Sequence, residues 1–210
     1  MARPNILLIT SDQQRWDTLG VYNPAIHTPN LDRLAAGGVV YDRAYTTNPT
    51  CTPARCSILT GHYASRHGCY CIGTSLPDDY PTVPAELSRT GYFTALLGKA
   101  HFQSCLSPDS FEAAPHIHNL DYFRNWDGPF YGFDYAQLVI GHSVEKHACG
   151  MHYGVWLRDQ GVDVDKHFGN WEYAGFGPWT LPEEVHNSTW TADITIEAME
   201  EIMGKNGLNA

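Results

Sequence analysis

The sequence predicts an α/β protein, a mainly parallel sheet flanked by helices. Three observations carry that expectation. Residues 5–10 form a continuous apolar run ending at Ser11-Asp12, the pattern of a strand buried on both faces. Helix signals and strand candidates then alternate along the chain. Finally Val83–Arg89, Gly91 and residues 92–97 read in succession as helix, turn and strand.

The elements follow in order. Thr28 is a candidate N-cap, Pro29 suits the first helical position and Gly37 the stop, so residues 28–38 read as a short helix. Residues 39–45 are a second strand candidate. Residues 53–59, closed by Thr60-Gly61, are another short helix. From 101 to 179 the periodicity loosens among aromatics, glycines and prolines. A long irregular excursion is expected over about 102–188, and the aromatic-rich stretch 120–180 is a candidate wall for a sugar-binding cleft. Trp190, Ile194, Ala198, Met199, Ile202 and Met203 then share one helical face that closes at Gly204.

Composition bounds the function. The chain has 210 residues, 43% hydrophobic, with 19 glycines, which is ample for a core and excludes general disorder. A net charge of −10 argues against a nucleic-acid partner held by bulk electrostatics. The longest aliphatic run, Ile6-Leu7-Leu8-Ile9, is far too short for a membrane span. No signal-peptide pattern precedes it, and six cysteines in such a chain argue against a disulfide framework, so the expected compartment is cytoplasmic.

The most informative stretch is Pro49-Thr50-Cys51-Thr52-Pro53-Ala54-Arg55-Cys56-Ser57-Ile58-Leu59-Thr60-Gly61. Pro53 in a first helical turn places Cys51 just before a helix N-terminus, where unpaired N–H groups favour an anion. Arg55, four residues on, projects to the same side. A nucleophile and a guanidinium at such an end suit attack on a sulfate or phosphate ester, although a free cysteine is as often simply buried. In Gly91-Tyr92-Phe93-Thr94-Ala95-Leu96-Leu97-Gly98-Lys99-Ala100-His101, extended backbone would point Lys99 and His101 the same way. His142, His147, Cys149 and His152 make a loose cluster, but their spacing fits no regular zinc pattern and reads as scattered imidazoles in a loop. His62 and His67 read as local turn structure.

The 49–61 stretch resembles the signature of the type I, formylglycine-dependent sulfatases of the alkaline phosphatase superfamily. Cys51-x-Pro53-x-Arg55 is similar to their modification motif, and Ile58-Leu59-Thr60-Gly61 completes the longer pattern. The 91–101 stretch resembles their second signature, with Leu97 where a smaller or β-branched residue is usual. Asn5 to Asp12 followed by Gln13 resembles the first strand and metal loop; many sulfatases carry two acidic residues there, and Asp-Gln is a variant.

The resemblance implies an alkaline-phosphatase-like sheet and a sulfuric ester hydrolase. Its catalytic residues would be Cys51, Arg55, Lys99 and His101, and Asp12, Gln13 and Cys51 would be metal ligands. Oxygen donors favour Ca²⁺, with Mg²⁺ or Mn²⁺ as alternatives. Cys51 would be oxidised to formylglycine by a formylglycine-generating enzyme, and the substrate would be a small-molecule or carbohydrate sulfate ester. The family's remaining metal ligands, an Asp followed by His or Asn, have no counterpart in the chain, which reads as the N-terminal part of a sulfatase catalytic domain. A phosphonate monoester or phosphodiester hydrolase of the same superfamily is the nearest rival. A non-catalytic binding protein or inert fragment is the rival of another class.

Overall fold

A computed structural model of the chain describes residues 3–114, 116–141, 148–168, 179 and 181–205, the last four of these by backbone alone. It divides into two compact units, 1–45 and 46–210.

In the first unit the described regular element is helix α1, Pro29–Gly37. Its bounds match the sequence expectation because Pro29 supplies a preset φ and forgoes an N–H that a first turn leaves unused. Thr28 does not cap by its side chain. Its Oγ1 instead donates to Asp32 Oδ1 (2.9 Å) and accepts from the Gly20 N–H (2.7 Å), while Asp32 Oδ1 also accepts from Val21 N–H (3.1 Å). A Cβ at Gly20 would press on the Asp32 carboxylate and displace it from these hydrogen bonds.

Residues 5–10 and 39–45, expected as strands, have no strand structure, and Ile6 and Ile9 are 65% and 76% exposed. A strand exists only where a neighbour accepts its ladder, and the described part of this unit offers none. Apolar content alone therefore overcalls strand here.

The second unit is built on two strands, β1 (Ala95–Lys99) and β2 (Tyr135–Val139), paired parallel with Ala95 opposite Tyr135 and Lys99 opposite Val139. The parallel pairing agrees with the α/β expectation, although β1 lies two to three residues beyond the expected 92–97. The start of the pair is fastened by Asp134. Its Oδ2 accepts from the Thr94 N–H (2.9 Å) and hydroxyl (3.0 Å), and its Oδ1 accepts from Ser88 Oγ (2.9 Å).

Around the strands lie α2 (Cys51–Thr60), α3 (Ala64–His67), α4 (Val83–Arg89), α5 (Leu120–Asn125), α6 (Met151–Asp159), α7 (Val164–Phe168) and α8 (Asn187–Lys205). Alternation along β2 feeds two cores. Ala136 and Leu138 join Cys56, Leu59, Phe102, Ile117, Phe123 and Phe130; Val139 joins Tyr153, Leu157, Phe168 and Trp190. Each large side chain so buried contributes about 1.5–3 kcal/mol. Helix α8 lies on β1 at Gly98, whose φ of +109° favours glycine and where an added Cβ would stand 3.1 Å from Thr191 Cγ2. The helix begins earlier than its apolar stripe and continues through Gly204 to Lys205. Trp190 is buried, but Met199 on the same stripe is exposed.

The expected irregular excursion over 102–188 is overturned within the described residues. It contains β2, α5, α6, α7 and two 3₁₀ turns, His116–His118 and Glu183–Val185. None of these elements exceeds nine residues, too few for periodicity to be read from sequence. Among the described residues, Phe123, Trp126 and Phe130 pack with Phe111 as core rather than as a cleft wall, their ring centroids 4.7–6.2 Å apart.

Helix α4 tests local legibility. Thr82 Oγ1 accepts from Ala85 N–H (3.3 Å) and donates to the Tyr131 carbonyl (2.8 Å) while buried. Thr82→Ala should cost about 1–2 kcal/mol, since it removes an N-cap and leaves a buried carbonyl unpaired. Urea unfolding should show a lower midpoint at unchanged slope, with Thr82→Ser nearer wild type.

Candidate active site

Helix α2 supplies the first part of the site. Thr50 takes extended backbone (φ −91°, ψ 145°) at the N-cap position without a side-chain cap bond, so Cys51 is the first helical residue, not the residue before the helix. The Asn48 side chain, accepting from Thr50 N–H at 2.8 Å, holds the chain entering that turn. The N–H groups of Cys51 and Thr52 are among those an α-helix leaves without an internal acceptor, at its positive end. Gly61, at φ +70°, closes the helix through its N–H to the Ser57 carbonyl.

Strand β1 supplies the second part. Lys99, its last residue, brings Nζ to 3.7 Å from Cys51 Sγ. Arg55, one turn along α2, donates from Nη1 to the Lys99 carbonyl at 2.8 Å. Cys51 and Arg55 therefore both face the end of β1, as their four-residue spacing predicts. Gly141 packs on the Lys99 stem, where an added Cβ would stand 2.8 Å from Lys99 Cδ.

The expectation for His101 needs correction. The strand stops at Lys99, and His101 takes φ +60°, so the rule of alternate residues on one face does not carry from Lys99 to His101. A left-handed non-glycine residue is held only by its surroundings. Here the hold is Glu112, whose Oε1 accepts from the His101 N–H (2.5 Å) and Oε2 from the Gln103 N–H (2.6 Å). Burial pushes the Glu112 carboxyl up to about 7, against the opposing pull of those N–H groups, that of Phe102 and the Arg55 guanidinium. Sequence reasoning missed Glu112. Its one signal is an acid inside Phe111-Glu112-Ala113-Ala114, which is slight.

Asp12 and Gln13 lie in the first unit, both exposed. Gln13 also has a left-handed backbone, φ +53°, making it the second expected site residue in that uncommon conformation.

Three of the other cysteines are enclosed more fully than Cys51, while Cys105 is half-buried like it and Cys71 is exposed. Cys56, Cys69 and Cys149 are buried. Burial raises the Cys56, Cys69 and Cys105 thiols and pushes Cys149 up to about 12, so these stay protonated and poorly nucleophilic.

Of the loose histidine cluster, His142 and His147 lie outside the described residues. His152 is spent on structure: Nδ1 accepts from the Leu138 N–H (2.9 Å), leaving Nε2 to donate to the Trp126 carbonyl (2.7 Å). No three His, Cys, Asp or Glu side chains gather as a metal-holding group among the described residues. His67, in α3, is likewise buried, with Nδ1 accepting from Cys69 N–H (3.1 Å) and Nε2 facing Ser57 Oγ (3.0 Å). His62 and Tyr80 hydrogen bond at 2.9 Å. No helix among the described residues is long and apolar enough to cross a membrane.

Comparison with known proteins adds the family. The Sulfatase family model matches residues 4–149, which include residues 5–13, the Cys51 stretch and β1. The chain belongs to the sulfatase family. This sulfatase-family chain is 31% identical to an arylsulfatase of Clostridium perfringens over 93% of its length and 39% of the relative's. It is 38% identical to the N-acetylgalactosamine-6-sulfatase of Homo sapiens over 47% of its length and 22% of that protein's. It thus spans between about a fifth and two fifths of these relatives. Among solved structures, the phosphonate monoester hydrolase of Agrobacterium radiobacter superposes with a TM-score of 0.68 at 25% identity, over 95% of this chain and 38% of that one. The architecture is accordingly the alkaline-phosphatase-like α/β fold of sulfatases and phosphonate hydrolases.

Proposed function

We propose that this sulfatase-family chain carries the nucleophile-bearing part of a sulfuric ester hydrolase that acts through a formylglycine made from Cys51. One observation supports this most: Cys51 is the first residue of α2, with Lys99 Nζ 3.7 Å from its sulfur and Arg55 tied to the Lys99 backbone. In the modified protein Cys51 Sγ is replaced by oxygen, so the Lys99 ammonium would stand beside a diol oxygen.

In this reading a formylglycine-generating enzyme would oxidise the Cys51 side chain by two electrons with an external oxidant, the sulfur leaving as sulfide and water supplying the aldehyde oxygen, and hydration of that aldehyde would give a geminal diol. One hydroxyl, deprotonated with help from Asp12, attacks sulfur and the alcohol leaves. The second hydroxyl then re-forms the aldehyde and expels sulfate, which serine or cysteine has no means to do. Arg55 and Lys99 offset the charge on sulfate and diol oxygens, and His101 hydrogen bonds to the diol.

Asp12 and Gln13 would hold a divalent cation, and their carboxylate and amide oxygens suit the hard ions Ca²⁺, Mg²⁺ or Mn²⁺. When bound, the cation supplies hydroxyl acidification and neutralisation of the ester oxygens. Because the chain carries −10 overall, an anionic ester would be drawn in by this local cationic cluster against the general field. Likeness to an arylsulfatase and an N-acetylgalactosamine-6-sulfatase favours an aryl or carbohydrate sulfate as substrate.

A second reading, phosphonate monoester hydrolysis with the same nucleophile, is favoured by the 0.68 TM-score likeness to the Agrobacterium enzyme. Parallel turnover of an aryl sulfate and an aryl phosphonate monoester separates the two. The sulfatase reading expects kcat/KM at least tenfold higher on the sulfate, and the opposite preference would replace it with the second reading.

A further inference from the structure

We propose that Glu112 is a positioning residue of this site, clamping the left-handed bend that follows Lys99 so that the β1 end is held against α2. The role rests on the function proposed above, but the clamp itself stands on geometry.

Two backbone donors flanking Phe102, the N–H groups of His101 and Gln103, converge on the two oxygens of one carboxylate at 2.5 and 2.6 Å. The carboxylate is 3% exposed. The bend it grips contains His101 at φ +60°, a conformation a non-glycine residue keeps only where its surroundings impose it. Gln103 returns the connection. Its Oε1 accepts from the Phe111 N–H (2.7 Å) and Ser110 Oγ (3.3 Å), so the 101–103 and 110–112 segments hold each other from both sides. On the opposite side the Lys99 carbonyl takes the Arg55 guanidinium at 2.8 Å. The β1 end is thereby anchored both before and after the bend, and Lys99 Nζ reaches Cys51 from a backbone with little freedom.

The clamp needs the ionised carboxylate, which burial confines to pH above about 7, so the variants are compared at pH 8. Both oxygens must accept, and charge-assisted acceptance from N–H groups is about twice as strong as the neutral kind. A glutamine would turn its NH₂ toward one of the two N–H groups, leaving a buried donor without an acceptor. An acid serving only to fill space would not need both oxygens engaged.

The test compares Glu112→Gln and Glu112→Asp with the parent chain. Amide hydrogen exchange read by NMR is the direct measurement. In Glu112→Gln, exchange at His101 and Gln103 should accelerate at least tenfold while Ala136 and Leu138 stay within twofold. Glu112→Asp, which keeps two acceptors, should recover most of that protection. Unchanged protection at both amides in Glu112→Gln would overturn the clamp, as would rapid exchange at both in the parent chain, a measurement that survives if the glutamine variant fails to fold.

Steady-state kinetics of the formylglycine-bearing enzyme on an aryl sulfate reads the positioning role. Glu112→Gln should lower kcat about 10- to 100-fold with KM within threefold, and Glu112→Asp should restore part of it; an unchanged kcat in Glu112→Gln would overturn the role. Absence of ester hydrolysis in the parent enzyme would refute the proposed function and leave the exchange result to decide the clamp.

Discussion

Cys51→Ala is expected to abolish ester hydrolysis in the active enzyme, while Cys56→Ala retains at least part of it. The two thiols lie five positions apart on α2, yet their surroundings differ. Cys51 is half-buried at the helix start beside Lys99 Nζ, whereas Cys56 is fully buried, with its sulfur 4.0 Å from the Phe102 carbonyl. Burial holds the Cys56 thiol protonated far above neutral pH, so it is not a nucleophile in the folded protein. Cys56 also lacks the Pro and Arg that follow Cys51 at the spacing of the modification motif. Losing a covalent nucleophile costs on the order of 10⁴-fold or more in kcat, well beyond the effect of a core thiol. Cys51→Ser should not rescue, because its sulfated product has no second hydroxyl to expel sulfate. Peptide mass spectrometry of the active enzyme should show CH₂–SH converted to CHO on the Cys51 peptide and on no other. Active enzyme whose Cys51 remains a thiol would defeat the mechanism.

Those parts of the fold that punctuate themselves were legible. Helix α4 is read with its observed bounds from residues 83–89 and the Gly91 turn that follows, and the structure adds Thr82 as its cap and Pro84 in its first turn. The pairing of Cys51 and Arg55 with Lys99 was foreshadowed by a four-residue helical spacing and by two signatures, each of which stands at an element's end. Other features depend on partners distant in sequence. Strand β2 shows no clean polar–apolar alternation in Tyr135-Ala136-Gln137-Leu138-Val139, and only its pairing with β1 defines it. Residues 5–10 show the converse, strand composition without a ladder. Glu112 was invisible for a similar reason. Its partners are backbone N–H groups nine and eleven residues away, which every sequence possesses, so no residue type announces the contact.

Phe123→Ala is expected to cost about 3–5 kcal/mol of stability, the range for truncating a buried phenylalanine. Phe123, on α5, is 2% exposed, and its ring meets Phe111 at 5.1 Å, Trp126 at 6.2 Å and His152 at 5.3 Å in edge-on arrangements. The His152 contact extends the loss. That imidazole bonds to the Leu138 N–H and the Trp126 carbonyl, so a cavity beside it loosens the anchoring of β2 as well as the aromatic packing. Neighbouring Tyr122, 43% exposed, is the internal control: Tyr122→Ala removes an aromatic from the same helix but leaves a smaller void. Were these aromatics a binding wall, Phe123→Ala would raise KM for a carbohydrate sulfate and leave the denaturation midpoint in place. As core, it should lower the urea midpoint sharply with KM little changed in the folded fraction, and Tyr122→Ala should shift the midpoint by less than half as much. A Phe123→Ala midpoint within about 1 kcal/mol of wild type would contradict the packing, because no other compensation is available to a phenylalanine-sized void in a close-packed interior.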